Sequence, residues 1–446
     1  MGDQTVDLLG RLVRLGCVND LTADSGGEER AADLLEEFFA GLPVSIERIT
    51  PHPGRTSLVV TVEGADPRSP GTPLTLLGHT DVVPVDTAKW TRDPFGAQIE
   101  DDVMWGRGTV DMLHLTAAMA VVTREVARRA QDGNPLARSL VFVAAADEEA
   151  RGGLGVPWIG DNKPDAFSWD AALSEMGGAH VRGRRGGDSV VVVVGEKGAA
   201  QRRLHIRGDA GHGSVPLGRT SAVERLAQVS AALSAARWPA ATDEVWAGFV
   251  RAFEFDETTE TSLINGTYEG DYSEFEDLAA FAHAISHVTV AQTVAHSGGP
   301  INVMPSHATL ELDIRTLPGV DDDDVDAAIA AALGDLAEHV TIERLLSEAA
   351  TASSIDTDLY RAIEAALTQR YSGTRVVPVL FPGGSDLRVA RRLGGIGYGF
   401  GAVDSGASLG QVYSQLHAHD EHIALADVRA TAEVLHEVVT SYLTDV

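Results

Sequence analysis

Four short apolar runs, SLVVTV (57–62), PLTLLG (73–78), SLVFVAAA (139–146) and DAALS (170–174), constrain this chain more than any other feature. Runs of this kind are expected of strands buried on both faces by helices. Helical periodicity fills the intervals between and before them. Leu8, Leu9, Leu12 and Val13 share one face near the start, and Ala31, Leu34, Leu35, Phe38, Phe39 and Leu42 repeat at helical spacing. Between the second and third runs, Met112, Leu115, Met119, Val122 and Val126 form a single stripe. Strand, helix and strand at this spacing predict an α/β domain with a mainly parallel sheet flanked by helices.

The character changes after Lys197. Gln201 to Arg207 alternates like a half-exposed strand, and Ser221 with Glu224 forms a capping box that opens a helix running to about Ala236. ATLELDIRT (308–316) alternates cleanly, with Leu310, Leu312 and Ile314 on one side and Glu311, Asp313 and Arg315 on the other. Val325, Ala328, Ile329, Ala332, Leu333 and Leu336 mark a second helix, and the acids at 321 to 324 before it suit a helix N-terminus. Two helices on one face of an antiparallel sheet predict an α+β two-layer domain inserted at about 198–346. Residues 1–197 and 347–446 then make up the first domain, with a hinge expected near 197 and 346.

A length of 446 residues allows two or three such domains. The formal charge of −30 argues against nucleic acid, because phosphate binding relies on clustered Lys and Arg. No apolar run reaches the roughly 18 residues that span a bilayer, so no membrane partner is expected. The opening MGDQTVDLLGRLVRLG carries charges inside its apolar stretch and reads as a helix rather than a secretory signal. A single cysteine, Cys17, excludes an intrachain disulfide and fits a reducing cytoplasm.

Ionisable residues gather where the apolar runs end. LLGHTD ends in His79 and Asp81, WGRGTVD in Asp111, VAAADEE in Glu148 and Glu149, ALSE in Glu175 and YSQLH in His417. An unpaired buried charge costs several kcal/mol, so a core strand carrying two ionisable groups needs a compensator, and a metal ion is one. The carboxyl ends of parallel strands converge on one crevice, where residues distant in sequence can meet. Two imidazoles and four or five carboxylates, without a thiolate, suit two Zn²⁺ ions, with Co²⁺ or Mn²⁺ as alternatives. Hydroxide bridging two ions needs a nearby base, and a glutamate already donating to metal serves poorly, which points to Glu148 beside Glu149. A solvated acidic loop is the plainer reading of DEE.

The order GHTDVVP, DPF with WGRGTVDM, ADEE, SEMGG, GHGSVP, NVMP with LDIRTLPG, PGGSDLR and HAHDE resembles a dinuclear-zinc peptidase and amidohydrolase family. That family contains glutamate carboxypeptidase, aminoacylase, acetylornithine deacetylase, succinyl-diaminopimelate desuccinylase and carnosine-type dipeptidases. By resemblance, Asp111 bridges two ions, one also held by His79 and Glu175 and the other by Glu149 and His417. Asp81 orients the imidazole of His79, and Glu148 is the base. The resemblance also gives His212 the oxyanion of the tetrahedral intermediate, from the same or a partner subunit. Asn302, Arg315 and Arg388 take the substrate carboxylate. A surface salt bridge to Glu311 or Asp313 is an alternative for Arg315. His419 and His422 read as loop histidines. Leu113 and His114 stand where relatives commonly carry lysine and glycine, which leaves the substrate open.

The expected activity is cleavage of an amide bond next to a free carboxylate, in a peptide or N-acyl amino acid, by a homodimer. A narrow biosynthetic deacetylase or desuccinylase is one alternative. A metal-stabilised binding protein without catalysis is another.

Overall fold

The computed structural model describes residues 1–65, 72–150 and 153–444. The four apolar runs lie side by side in a ten-stranded sheet, as Arg55–Val62, Leu140–Ala145, Leu74–His79 and Ala171–Ser174. Leu74–His79 runs parallel to both neighbours, and Ile396–Gly399 continues the parallel set beyond Ala171–Ser174. Every residue of Leu140–Ala145 and Leu74–His79 is buried, which explains why neither run alternates with polar residues. The flanks are antiparallel. Ser45–His52 and Arg55–Val62 are joined only by Pro53 and Gly54, and a two-residue link can return the chain only antiparallel. On the far side Asp188–Glu196 pairs parallel with Arg375–Phe381 and antiparallel with His180–Arg182 and Thr351–Ala352.

Helices Gly2–Leu15, Leu113–Gln131, Asp358–Arg370 and Leu425–Thr444 pack together over one face of this sheet. Their apolar stripes bury Leu8, Leu12, Met119, Ile363 and Leu435 against Leu58, Leu76, Phe142 and Leu173. Val156–Asn162 and Leu387–Arg392 cover the opposite face at Leu77, Val141 and Val143. Among the described residues no helix is long and apolar enough to cross a membrane.

A second, wholly antiparallel sheet contains Gly198–Ala199, His307–Thr316, Arg202–Arg207, Val340–Arg344 and Thr289–Ser297. Residues of His307–Thr316 alternate in burial along the strand, with Leu310, Leu312 and Ile314 facing helices Ala222–Ala235 and Asp322–Leu333. Both helices begin with capping boxes, Ser221 with Glu224 and Asp321 with Asp324. Replacing Ser221 with Ala is expected to cost about 1 kcal/mol, read as a lower urea midpoint, because the amide of Glu224 loses its acceptor.

Packing divides the stretch 198–346 in a way its sequence did not announce. Helices Glu244–Ala252, Glu257–Ile264 and Ala279–Ser286 lie within it, yet they pack on the large sheet. Trp246, Phe249, Phe275 and Phe281 bury Val191, Val193, Val377 and Val379. An aromatic helical layer of this size is held by whichever apolar sheet face it can cover, whatever its place in the chain.

Candidate metal centre

Register brings the site together. His79 stands opposite Ala145, and Leu76 opposite Leu173, so three parallel strands finish at the same edge of the sheet. The residues just past those ends, Glu148, Glu149 and Glu175, therefore crowd onto His79. His79 Nε2 lies 3.3 Å from Asp111 Oδ1 and 3.8 Å from Glu175 Oε2. On the other side of Asp111, His417 Nε2 lies 3.3 Å from its Oδ2 and 3.2 Å from Glu149 Oε2. Two groups capable of holding an ion result: His79, Asp111 and Glu175, and Asp111, Glu149 and His417.

The chemistry of these donors fits divalent cations. Two ligands at about 2.0–2.2 Å from a tetrahedral ion stand roughly 3.3 Å apart, close to the separations found here. Glu149 Oε1 and Glu175 Oε2 are buried without a hydrogen-bond partner among the described residues. Burial, reinforced by the charge on Asp111, pushes Glu149 up to about 7 and Glu175 up to about 8. His417 is raised to about 10 by its contacts with Asp111 and Glu149. Carboxylates this crowded call for positive charge between them, which a divalent cation supplies. The donor set of imidazole and carboxylate, with no thiolate, belongs to zinc, cobalt or manganese.

Asp81 holds its place differently from the expectation. The atom nearest His79 Nδ1 is the backbone carbonyl of Asp81, at 2.9 Å, whereas the Asp81 carboxylate is 3.5 Å away. That carboxylate instead accepts the backbone N–H groups of Glu148 and Glu149 at 3.2 and 3.1 Å. It also accepts Asn19 Nδ2 at 2.8 Å. One aspartate thus fixes the histidine through its backbone and the Glu148–Glu149 turn through its side chain. An H-x-D spacing reveals the pairing but not which atom makes it.

Three supporting groups were given no role in the sequence reading. Asn19 bridges Asp81 and Asp147, and the buried Arg55 ties Asn19 to Glu28. Glu421 is fully buried and accepts Arg107 Nη1 at 2.7 Å, with the backbone N–H groups of Gly108, Val110 and Asp111. It thereby fastens the loop that carries Asp111 to the segment that carries His417. Lys197 is buried and donates to the carbonyls of Ala284 and His287 and to Thr289 Oγ1; burial lowers its pKa to about 7. Partners of metal ligands are commonly worth ten- to a hundredfold in affinity or activity. Asn19→Ala is accordingly expected to weaken metal binding by about that range, measured by competition with a chelator of known affinity.

Asp111, Glu148, Glu149, Glu175 and His417 line a cavity of about 440 Å³, whose remaining wall includes Lys197, Arg315, Glu348 and Arg388. Arg315 lies 2.9 Å from Asp313, and Arg388 3.6 Å from Glu348. His212 and Asn302 lie outside this cavity, on an exposed arm where Gly211–His212 pairs with Val303–Met304. Neither His419 nor His422 belongs to the two donor groups, and His422 stacks on Trp105.

The model of Peptidase family M20/M25/M40 matches residues 75–441. The chain belongs to this family. The two donor groups of this M20/M25/M40 chain lie beside the parallel strands of a sheet of mixed direction. It is 26% identical over 327 residues to probable carboxypeptidase S-like 2 of Dictyostelium discoideum, covering 71% of this chain and 62% of that protein. It is also 26% identical over 308 residues to acetylornithine deacetylase of Erwinia tasmaniensis, covering 68% and 65%. The matches thus span a little under two thirds of these relatives' lengths. Among solved structures, the M20 family metallo-carboxypeptidase Sso-CP2 from Sulfolobus solfataricus superposes with a TM-score of 0.70 at 20% identity, over 99% of each chain. Human carnosine dipeptidase 1 superposes at 0.63 with 16% identity, over 99% of this chain and 96% of that one. At these identities the structures establish a shared fold.

Proposed function

We propose that this protein is a zinc-dependent hydrolase that cleaves an amide bond beside a free carboxylate, in a small peptide or an N-acyl amino acid. The observation that carries the reading is the pair of donor groups sharing Asp111, with Glu148 in the same cavity and outside both groups. His79, Asp111 and Glu175 would hold one ion, and Asp111, Glu149 and His417 the other. When bound, the two ions polarise the scissile carbonyl and make a water acidic enough to yield a nucleophile near neutral pH.

The protein's own groups supply the rest. Glu148 accepts the proton of the attacking water and delivers it to the leaving amine nitrogen. Its burial, together with the charge of Glu175, raises its carboxyl well above the ordinary range, which suits a group that must hold and release a proton. Arg315 and Arg388 receive the substrate carboxylate, and Lys197 stands in the same wall. His212 donates to the oxyanion and Asn302 supports the carboxylate when the small antiparallel sheet and its two helices close, or when a second subunit brings its arm across. Val215, Leu217, Ile301 and Val303 are exposed beside that arm, which supports a homodimer. The lone, buried Cys17 supports a cytoplasmic setting.

A panel of N-acetyl amino acids, dipeptides and acyl-diamino acids, assayed with zinc-loaded protein, tests the reading. Release of free amino acid from several N-acyl amino acids or dipeptides is expected. Turnover of one acyl-diamino acid alone would make it a narrow deacetylase or desuccinylase. Binding without any hydrolysis would make it a non-catalytic metal protein.

A further inference from the structure

The metal-centre cavity adjoins a second chamber of about 250 Å³, and Glu175, Met176, Phe381 and Tyr413 line both. The walls of the second chamber are largely apolar, among them Phe281, Val379, Phe400, Val403, Leu409 and Val412. No lysine or arginine lines it among the described residues, whereas Lys197, Arg315 and Arg388 all face the metal-centre cavity. Several of its polar groups are engaged by neighbours. Asp427 accepts Ser405 N and Oγ at 2.7 and 2.8 Å, Thr431 donates to the carbonyl of Ala402 at 3.0 Å, and Gln415 meets His422 at 3.1 Å. His114 also lines the chamber; its buried Nδ1 has no hydrogen-bond partner among the described residues, and burial lowers its pKa to about 4, so the ring is neutral.

An anionic substituent entering this space would lose its hydration and meet no lysine or arginine, and a cationic one would meet only Asp427, already occupied by Ser405, and Glu175, which belongs to a donor group of the metal centre. An aliphatic one would lose only unfavourable contact with water. The volume equals about eight water molecules at roughly 30 Å³ each, enough for a chain of about four to six carbons. We propose that the chamber holds an uncharged aliphatic substituent of the substrate, beside the metal centre and away from the cationic wall, and so selects substrates by chain length. The substituent is either the acyl chain or the side chain of the amino acid. This proposal rests on the hydrolase reading above.

Two series separate the sources. One varies the acyl group from acetyl to butanoyl to hexanoyl on L-alanine, and the other varies the side chain of N-acetyl amino acids from alanine to norvaline to norleucine. With zinc-loaded protein, kcat/KM is expected to rise about three- to fourfold per methylene along one series and to level off when the chamber is full. Filling the space with Ala407→Phe is expected to lower kcat/KM for the longest member of that series at least tenfold more than for N-acetyl-L-alanine. Calorimetric binding of both series to zinc-loaded wild-type and Glu148→Gln protein reads the chamber apart from turnover. If no amide is cleaved but affinity still climbs with chain length, the hydrolase reading fails and the chamber stands. Affinity and kcat/KM that stay flat along both series overturn the chamber, as does an Ala407→Phe protein that folds and slows every substrate equally.

Discussion

Glu148→Gln protein is expected to lose between about 10² and 10⁴ in kcat while keeping its full complement of metal. The substitution preserves volume, and the backbone N–H of residue 148 keeps its bond to the Asp81 carboxylate, so the turn that carries Glu149 stays fixed. Neither donor group includes Glu148, which is why its loss leaves metal affinity intact. A glutamine amide, however, cannot take up the proton that leaves the attacking water, nor pass one to the amine. The deficit therefore falls on kcat, and KM changes little, since the cationic wall of Arg315 and Arg388 is untouched. Steady-state kinetics alongside metal analysis of the same preparation decides the matter. A variant that turns over within tenfold of the native protein, with two equivalents of metal bound, would remove Glu148 as the proton carrier.

The sequence made the parallel core legible because burial on both faces leaves a composition signal: Leu140–Ala145 is wholly apolar, and in Leu74–His79 polar groups do not alternate with apolar ones. The small sheet was legible for the opposite reason, since one solvated face makes His307–Thr316 alternate. The helices between 244 and 286 were counted with the inserted stretch 198–346 by their position in the chain, because apolar helical periodicity shows that a face is buried and says nothing about which sheet covers it. The donors His79, Glu149 and Glu175 stood out because ionisable groups just past apolar strands are unusual, whereas Asp111 and His417 lie in turns and were picked out through the motifs WGRGTVDM and HAHDE. Asn19, Arg55 and Glu421 did not, because each acts across tens to hundreds of residues through contacts that leave no local period. His212 and Asn302 stand apart from the cavity in a single chain, which their motifs did not reveal.

Removing the metal is expected to change both the stability of the fold and the direction in which stability depends on pH. In the metal-free chain, burial and then the charge of Asp111 raise Glu149 to about 7 and Glu175 to about 8. A carboxyl raised in the folded state favours folding while it is protonated; the contribution is whole below its unfolded value near 4.5 and is lost as pH climbs through the folded value. His417, raised to about 10, acts with the same sign at higher pH: its contribution is complete below about 6.5 and fades towards 10. Chelated protein should therefore weaken between pH 5 and pH 8, by about 3 kcal/mol once the mutual coupling of the two glutamates is allowed for. Metal-loaded protein should do the reverse, because the ligands must shed their protons to bind and affinity rises with pH. At metal concentrations near a thousandfold above Kd, each ion adds about 4 kcal/mol. Lys197, depressed to about 7, titrates in both forms and cancels from the difference. Calorimetric Tm values at pH 5, 6.5 and 8, with zinc and with chelator, give the test. The gap between the two curves should widen with pH, the chelated branch alone falling roughly 3 °C for a chain of this size. Parallel curves would mean that Asp111, Glu149 and Glu175 do not share their charge with bound cations.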